Sequence, residues 1–170
     1  MKKLCLLLSI LIISYCFAFS DEENFISFGF DSGYLIDGYM KGGWGAGGIF
    51  EIRLLEKFSF IADAGYIEYR EINNNLTNFI TTVTIQGIVR WYPFGGITGV
   101  YAGAGFGTFY STVSDEKVLG YMIPLETGIK LTFFGSKGIF LEPDIAILLK
   151  YGNSRFLIGM KYGLNIGFTF

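Results

Sequence analysis

The chain has 170 residues, of which 51% are hydrophobic and only 16% charged, with 18 Phe, 11 Tyr, 24 Gly and a net charge of −2. Average soluble domains carry about 25% charged residues; this balance gives no reason to expect nucleic-acid binding, which needs a basic surface, and the length fits one domain. After residue 20 no apolar run reaches the roughly 20 residues of a spanning helix, so a membrane-resident chain of this kind is left with a closed β-barrel.

Residues 1–20 read as a secretory signal peptide. Lys2 and Lys3 form a positive start, Leu4 to Phe17 an apolar stretch, and Ala18-Phe19-Ser20 a small-residue cleavage site before Asp21. A lipoprotein signal ending at Cys16 is the rival, but Tyr15 is bulky where such sites want a small residue. Cleavage removes both cysteines, Cys5 and Cys16, leaving 11 basic and 15 acidic residues, a net charge of −4, and no possibility of a disulfide. Residues 21–170 form the single remaining domain.

Period-2 alternation predicts eight strands in that domain, at about 25–34, 43–54, 58–70, 79–92, 99–110, 120–133, 138–151 and 155–170. In the first, Ile26, Phe28 and Phe30 alternate with Ser27, Gly29 and Asp31. In the second, Trp44, Ala46, Phe50, Ile52 and Leu54 alternate with Gly45, Gly47, Glu51 and Arg53. The third leaves its facing open around Asp63 and Glu68. The fourth sets Val83, Ile85, Val89 and Trp91 against Thr82, Thr84, Gln86 and Arg90, and the fifth is rich in Gly and Ala. In the sixth, Tyr121, Ile123, Leu125, Ile129 and Leu131 oppose Glu126, Gly128, Lys130 and Thr132. In the seventh, Ile139, Leu141, Ile145, Ile147 and Leu149 oppose Glu142, Asp144, Ala146 and Lys150, with Pro143 marking a bulge or kink. In the eighth, a greasy row from Phe156 to Phe170 opposes a small, polar or basic one that includes Lys161. Each segment has at least the ~9–11 residues of a tilted membrane-crossing strand. Short connections near 55–57, 93–98 and 134–137 alternate with longer polar ones near 35–42, 71–78 and 111–119, and Gly152-Asn153-Ser154 makes a tight last turn. The expected fold is all-β: an eight-stranded antiparallel up-and-down transmembrane β-barrel.

A soluble lipocalin-like barrel alternates too, with its apolar face inward. Glycines crowded on the polar rows favour the opposite facing, because a narrow lumen needs small residues to make space for long charged ones. Aromatics near the strand ends favour it as well: Trp91, Tyr92, Phe94, Phe133, Phe134, Phe168 and Phe170 at one rim, and Tyr34, Trp44, Tyr66, Tyr110, Tyr121, Tyr151 and Phe156 at the other. The lumen is then expected to hold a charge network of Glu51, Arg53, Arg90, Glu126, Lys130, Glu142, Asp144, Lys150 and Lys161. Two hairpin registers that place opposite charges face to face predict the ion pairs Lys130–Glu142 and Asp144–Lys161. So many charges read as a plug; aqueous porins need about 16 or more strands.

The final run Tyr162, Leu164, Ile166, Phe168 and Phe170 resembles the C-terminal signal of outer-membrane proteins. Arg90-Trp91-Tyr92-Pro93-Phe94 followed by Val100-Tyr101-Ala102-Gly103-Ala104-Gly105-Phe106-Gly107 resembles the central hairpin of the opacity-type and OmpA-like small barrel families. The resemblance implies an outer-membrane location and insertion by the barrel-assembly machinery. The long variable surface loops of many members are missing here, which argues against an adhesin. A monomer in outer-membrane lipid is expected.

Nothing in the sequence points to catalysis or a cofactor. There is no histidine, which removes the Ser-His and His-metal constellations. Glu142 and Asp144 lie on one strand face, where a charge network explains them better than acid/base work. Gly43 to Gly48 match G-x-G-x-x-G without a βαβ context, Asn75-Leu76-Thr77 carries no weight as a glycosylation acceptor in a bacterial protein, and Asp115, Glu116 and Lys117 read as a solvated loop. A non-enzymatic structural or surface-exposed barrel is therefore the leading expectation. A narrow channel or small-molecule transporter and a soluble periplasmic ligand-binding barrel are the alternatives.

Overall fold

The computed structural model describes residues 25–73, 76–94, 98–113, 116–133 and 137–170. The signal-peptide reading, Phe134 and Asp115 lie outside them. Eight strands are β1 (Ile26–Asp31), β2 (Trp44–Leu55), β3 (Phe58–Asn73), β4 (Leu76–Trp91), β5 (Gly99–Val113), β6 (Glu116–Thr132), β7 (Gly138–Gly152) and β8 (Arg155–Thr169), with one helix, α1 (Ser32–Met40), between β1 and β2. Each strand pairs antiparallel with the next and β8 pairs with β1, closing the barrel. Closure leaves no strand with a full unpaired edge.

All eight expected strands are present, and the alternation assigns their faces. The undecided third strand resolves with Ser59, Ile61, Asp63, Gly65 and Ile67 buried inward and Glu68 on the outer row near the rim. Pro143 marks neither a bulge nor a shift. It interrupts the β6–β7 ladder locally, and the same register holds on both sides, from Gly128↔Asp144 to Leu131↔Leu141. A proline supplies no N–H to a ladder, so a gap is sufficient.

Two expectations about connections need correction. The segments 71–78 and 111–119, read as longer loops because they are polar, are mostly strand. β3 and β4 pair as far as Asn73↔Leu76, and β5 and β6 as far as Val113↔Glu116. Cross-strand pairing overrides local polarity there. The first strand, conversely, ends at Asp31, and the chain enters α1 at Ser32. The Asp31 carboxylate accepts the Gly33 N–H at 2.7 Å, an N-cap that turns the chain out of the sheet. At the other end Gly42 sits at φ +76°, its N–H bonds Tyr39 C=O, and the Gly43 N–H bonds Gly38 C=O; this is a Schellman ending, which favours glycine. The last turn, at Asn153 (φ 48°) and Ser154 (φ 58°), is of type I′, the kind that suits a two-residue hairpin.

Inside the wall, Ile49, Ile61, Ile88 and Phe140 form a small apolar cluster. Around it lie buried polar and charged side chains. The outer rows carry the large exposed hydrophobics: Val83, Ile85, Ile123, Leu125, Ile145 and Ile147 are examples from β4, β6 and β7.

Candidate functional site: a charged barrel interior

Two clusters of buried charge cross the interior, each built around cations that reach carboxylates on other strands. The first lies toward the end where β1 begins. The Arg90 guanidinium, 1% exposed, donates through Nε to Glu126 and through Nη1 to Glu142 Oε2 at 3.0 Å, with Nη2 2.8 Å from Glu142 Oε1. Its Cζ lies 4.0 Å from the Tyr101 ring centroid, and a compact ammonium lacks the flat guanidinium face that stacks on an aromatic ring. The Tyr101 hydroxyl (3.1 Å) and Asn165 Nδ2 (2.9 Å) also donate to Glu142.

Lys130, fully buried, donates to Glu51 across the barrel and to Ser27 Oγ at 2.9 Å. Glu51 also accepts from Ser59 and from the Tyr92 hydroxyl at 2.8 Å. The Arg90 and Glu51 charges approach to 3.9 Å and join the two halves of the cluster. Glu51 and Glu142 thus have several donors each, and Glu126 has the Arg90 guanidinium, the condition under which a charge tolerates removal from water.

The second cluster hangs on Lys161. Its ammonium donates to Asp31 and, at 3.1 Å, to Asp63, and lies 4.4 Å from the Tyr34 ring centroid. The Tyr34 hydroxyl donates to Asp63 at 3.3 Å and accepts from Thr84 at 2.7 Å, and Gln86 donates to the same Asp63 oxygen. Tyr34 comes from α1, so the helix inserts a side chain into the barrel and caps this cluster.

Among the nine residues expected to form the network, Glu51, Arg90, Glu126, Lys130 and Glu142 meet in the first cluster, and Lys161 anchors the second. Arg53 does not take part. It turns to the β2–β3 connection, donating to the carbonyls of Leu55 (3.3 Å) and Glu56 (3.0 Å). Asp144 and Lys150 form no ion pair among the described residues.

Neither expected neighbour pair forms. The β6–β7 register is the one assumed, but Lys130 reaches across to Glu51 while Arg90 takes Glu142. Adjacent inward side chains all point at one axis, and long ones meet the opposite wall first. For Asp144 the register itself differs: Asp144 faces Gly163, and Lys161 faces Ala146. The residues not foreseen, Asp31, Asp63, Tyr92 and Tyr101, all lie on inward rows. Tyr92 follows Arg90 by two and Tyr101 precedes Gly103 by two, so parity alone could have placed them. Tyr92 and Tyr34 accordingly do not belong to the aromatic rims.

Beyond the second cluster, toward the α1 end, lies a cavity of about 450 Å³. Its floor is Tyr34, Thr84 and Lys161. Lys150 lines it, 5.9 Å from the Phe109 ring centroid.

Fold and interior together define a closed eight-stranded antiparallel barrel with a charge-paired core and an apolar outer surface. The chain matches no protein-family model and no curated protein. Among solved structures it is similar to the N-terminal β-barrel domain of Pseudomonas aeruginosa OprF, at 17% identity over 86% of this chain and 96% of that one, with a TM-score of 0.47.

Proposed function

We propose that this protein is an exported, integral β-barrel of the bacterial outer membrane, with a structural or surface-exposed role and a plugged lumen. One observation carries this reading. The outer rows of the strands are apolar around the barrel, as in Phe28, Phe50, Val89, Val100, Leu131, Leu141 and Ile166, while Arg90, Lys130 and Lys161 are buried inside. Soluble monomers rarely expose apolar patches beyond a few hundred Å². A water-soluble ligand-binding barrel has the reverse facing.

The rims support the same reading. Trp44 and Tyr66 lie 5.0 Å apart between centroids in a tilted pair, and Tyr121 is paired with Tyr151, which is paired with Phe156, at one end. Phe28, Phe168 and Phe170 gather at the other. Aromatic residues favour both membrane–water boundaries. The row Tyr162, Leu164, Ile166, Phe168 and Phe170 faces outward on and just after β8, available to the barrel-assembly machinery and then to lipid. The missing histidine favours a non-enzymatic role.

Membrane fractionation with a heat-modifiability gel tests the proposal. Detergent-dependent extraction from the outer membrane, with a mobility shift on boiling, is expected. Recovery from the aqueous periplasmic fraction overturns it. Because two levels of ion pairs cross the lumen, the reconstituted protein is expected to show no sustained single-channel steps in planar bilayers; steady conductance favours the narrow-channel alternative.

A further inference from the structure

The barrel wall is incomplete at the α1 end. β1 pairs with β2 only from Ile26↔Ile52 to Phe30↔Gly48, and with β8 only from Ser27↔Thr169 to Asp31↔Asn165. The start of β2 (44–47) and the first ten residues of β8 (155–164) therefore have no β1 partner. α1 occupies part of this wedge, and Ser32 Oγ accepts the Leu164 N–H at 2.8 Å. Further up β8, Leu157 belongs to the inward row and is nevertheless 61% exposed.

The 450 Å³ cavity reaches this gap. Leu157, Gly159, Met160 and Lys161 line it along the stretch of β8 that has no β1 partner. The cavity therefore lies against the β8 edge that β1 leaves unpaired. Under the proposed placement in a membrane, on which this inference rests, the opening faces the acyl-chain or headgroup region and not only the water above the barrel.

The lining has two characters. Leu148, Leu157, Met160 and Met122 are apolar, whereas Lys150 is a cation without a carboxylate partner among the described residues. The charged groups whose fields reach Lys150 are Lys41, Asp37 and Lys161. Asp37 is taken by Lys41 at 2.9 Å, and Lys161 by Asp31 and Asp63. Lys150 is thus left without an ion-pair partner of its own among the described residues, in a recess whose wall mixes apolar residues with Thr82, Thr84, Gln86 and Ser111. Such a charge is stabilised by a bound anion, and the apolar walls favour an attached hydrocarbon chain.

We propose that the cavity is a lateral binding site for a single-chain anionic amphiphile of the fatty-acid class, its carboxylate on Lys150 and its chain leaving between β8 and α1.

The test uses the full protein in phosphatidylcholine nanodiscs, photolabelled with a diazirine-bearing dodecanoate and mapped by mass spectrometry. Labelling is expected on β8 and α1, competed by dodecanoate and not by dodecanol. Lys150→Gln is expected to reduce it about tenfold, the loss of one charge-assisted contact, and Lys150→Arg to retain it. Gly159→Phe is expected to abolish it with heat-modifiability intact, because the nearest side-chain atoms to a Cβ there are 3.9 and 4.0 Å away and a larger side chain projects into the cavity. Labelling spread evenly over the outer strands, or unchanged in Lys150→Gln, overturns the proposal. Equal competition by dodecanol, or by acetate, assigns an uncharged chain or a small anion and overturns it as well. A protein that does not enter the nanodiscs overturns the membrane reading, a result distinct from insertion without labelling.

Discussion

The Tyr34 ring lies where Gly65 would carry a Cβ: an atom placed there meets Tyr34 Cε1 and Cζ at 2.2 Å. Gly47, on the neighbouring strand, gives the same result, with Tyr34 Cδ2 at 2.1 Å. The aromatic ring of α1 thus rests on a bare patch of wall made by two glycines paired directly across β2 and β3. Gly65→Ala is expected to expel the ring and destabilise the barrel by about 1–3 kcal/mol, the usual cost of overpacking. Gly48→Ala is the control. Its Cβ meets only Gly29 O, at 3.5 Å, and a change within about 0.5 kcal/mol is expected. Urea unfolding of the refolded protein in detergent measures both.

The Lys130–Glu51 pair spans the lumen and can be separated experimentally from the Lys130–Glu142 pair that strand neighbourhood favours. Lys130→Met leaves Glu51 without its principal cation and is expected to cost about 3–5 kcal/mol, as when one partner of a buried pair is removed. Adding Glu51→Gln is expected to recover part of that loss, with a coupling of about 1–3 kcal/mol. Adding Glu142→Gln instead is expected to deepen it, because Glu142 is held by Arg90. A double-mutant cycle in which Glu142 rescues better than Glu51 contradicts the observed pairing.

Arg90 serves two carboxylates through a planar fork while lying against Tyr101. Lys at this position keeps the charge and loses both the fork and the stacking. Arg90→Lys is therefore expected to be clearly destabilised, and Arg90→Met more so, by about 3–5 kcal/mol. Equal stability of the wild type and Arg90→Lys in the same urea titration rules out the bidentate role.

Asp31 has two tasks, one per oxygen: Oδ1 caps α1 and Oδ2 holds Lys161. Asp31→Asn retains an oxygen for the cap and loses the ion pair, whereas Asp31→Ala loses both. The alanine variant is expected to be the less stable by about 1 kcal/mol, the worth of an N-cap. Identical midpoints for the two variants mean that the cap contributes nothing.

The alternation of side chains by itself determined the strand count and separated the two faces of most strands, while the facing of 58–70 was decided only by the fold. The reason is geometric: successive side chains on a strand point to opposite faces, so a run such as Tyr121 to Leu131 carries its own facing. It also placed Glu51, Arg90, Lys130, Glu142 and Lys161 on the inward rows, since each shares its parity with small or polar neighbours. Partner choice was not legible, because it depends on the width of the lumen and on what projects from the far wall. Lys130 meets Glu51, 79 residues away, and not the residue beside it in the sheet. α1 was illegible for a related reason. Ser32-Gly33-Tyr34-Leu35-Ile36-Asp37-Gly38-Tyr39-Met40 is a poor helix former with two glycines. It becomes helical because Asp31 caps it, Gly38 lets it pack closely on Trp44, and Tyr34 finds room over Gly47 and Gly65. Those contacts exist only once the barrel has closed, and with them the tertiary structure decided both the ion-pair partners inside the barrel and the gap beside β8.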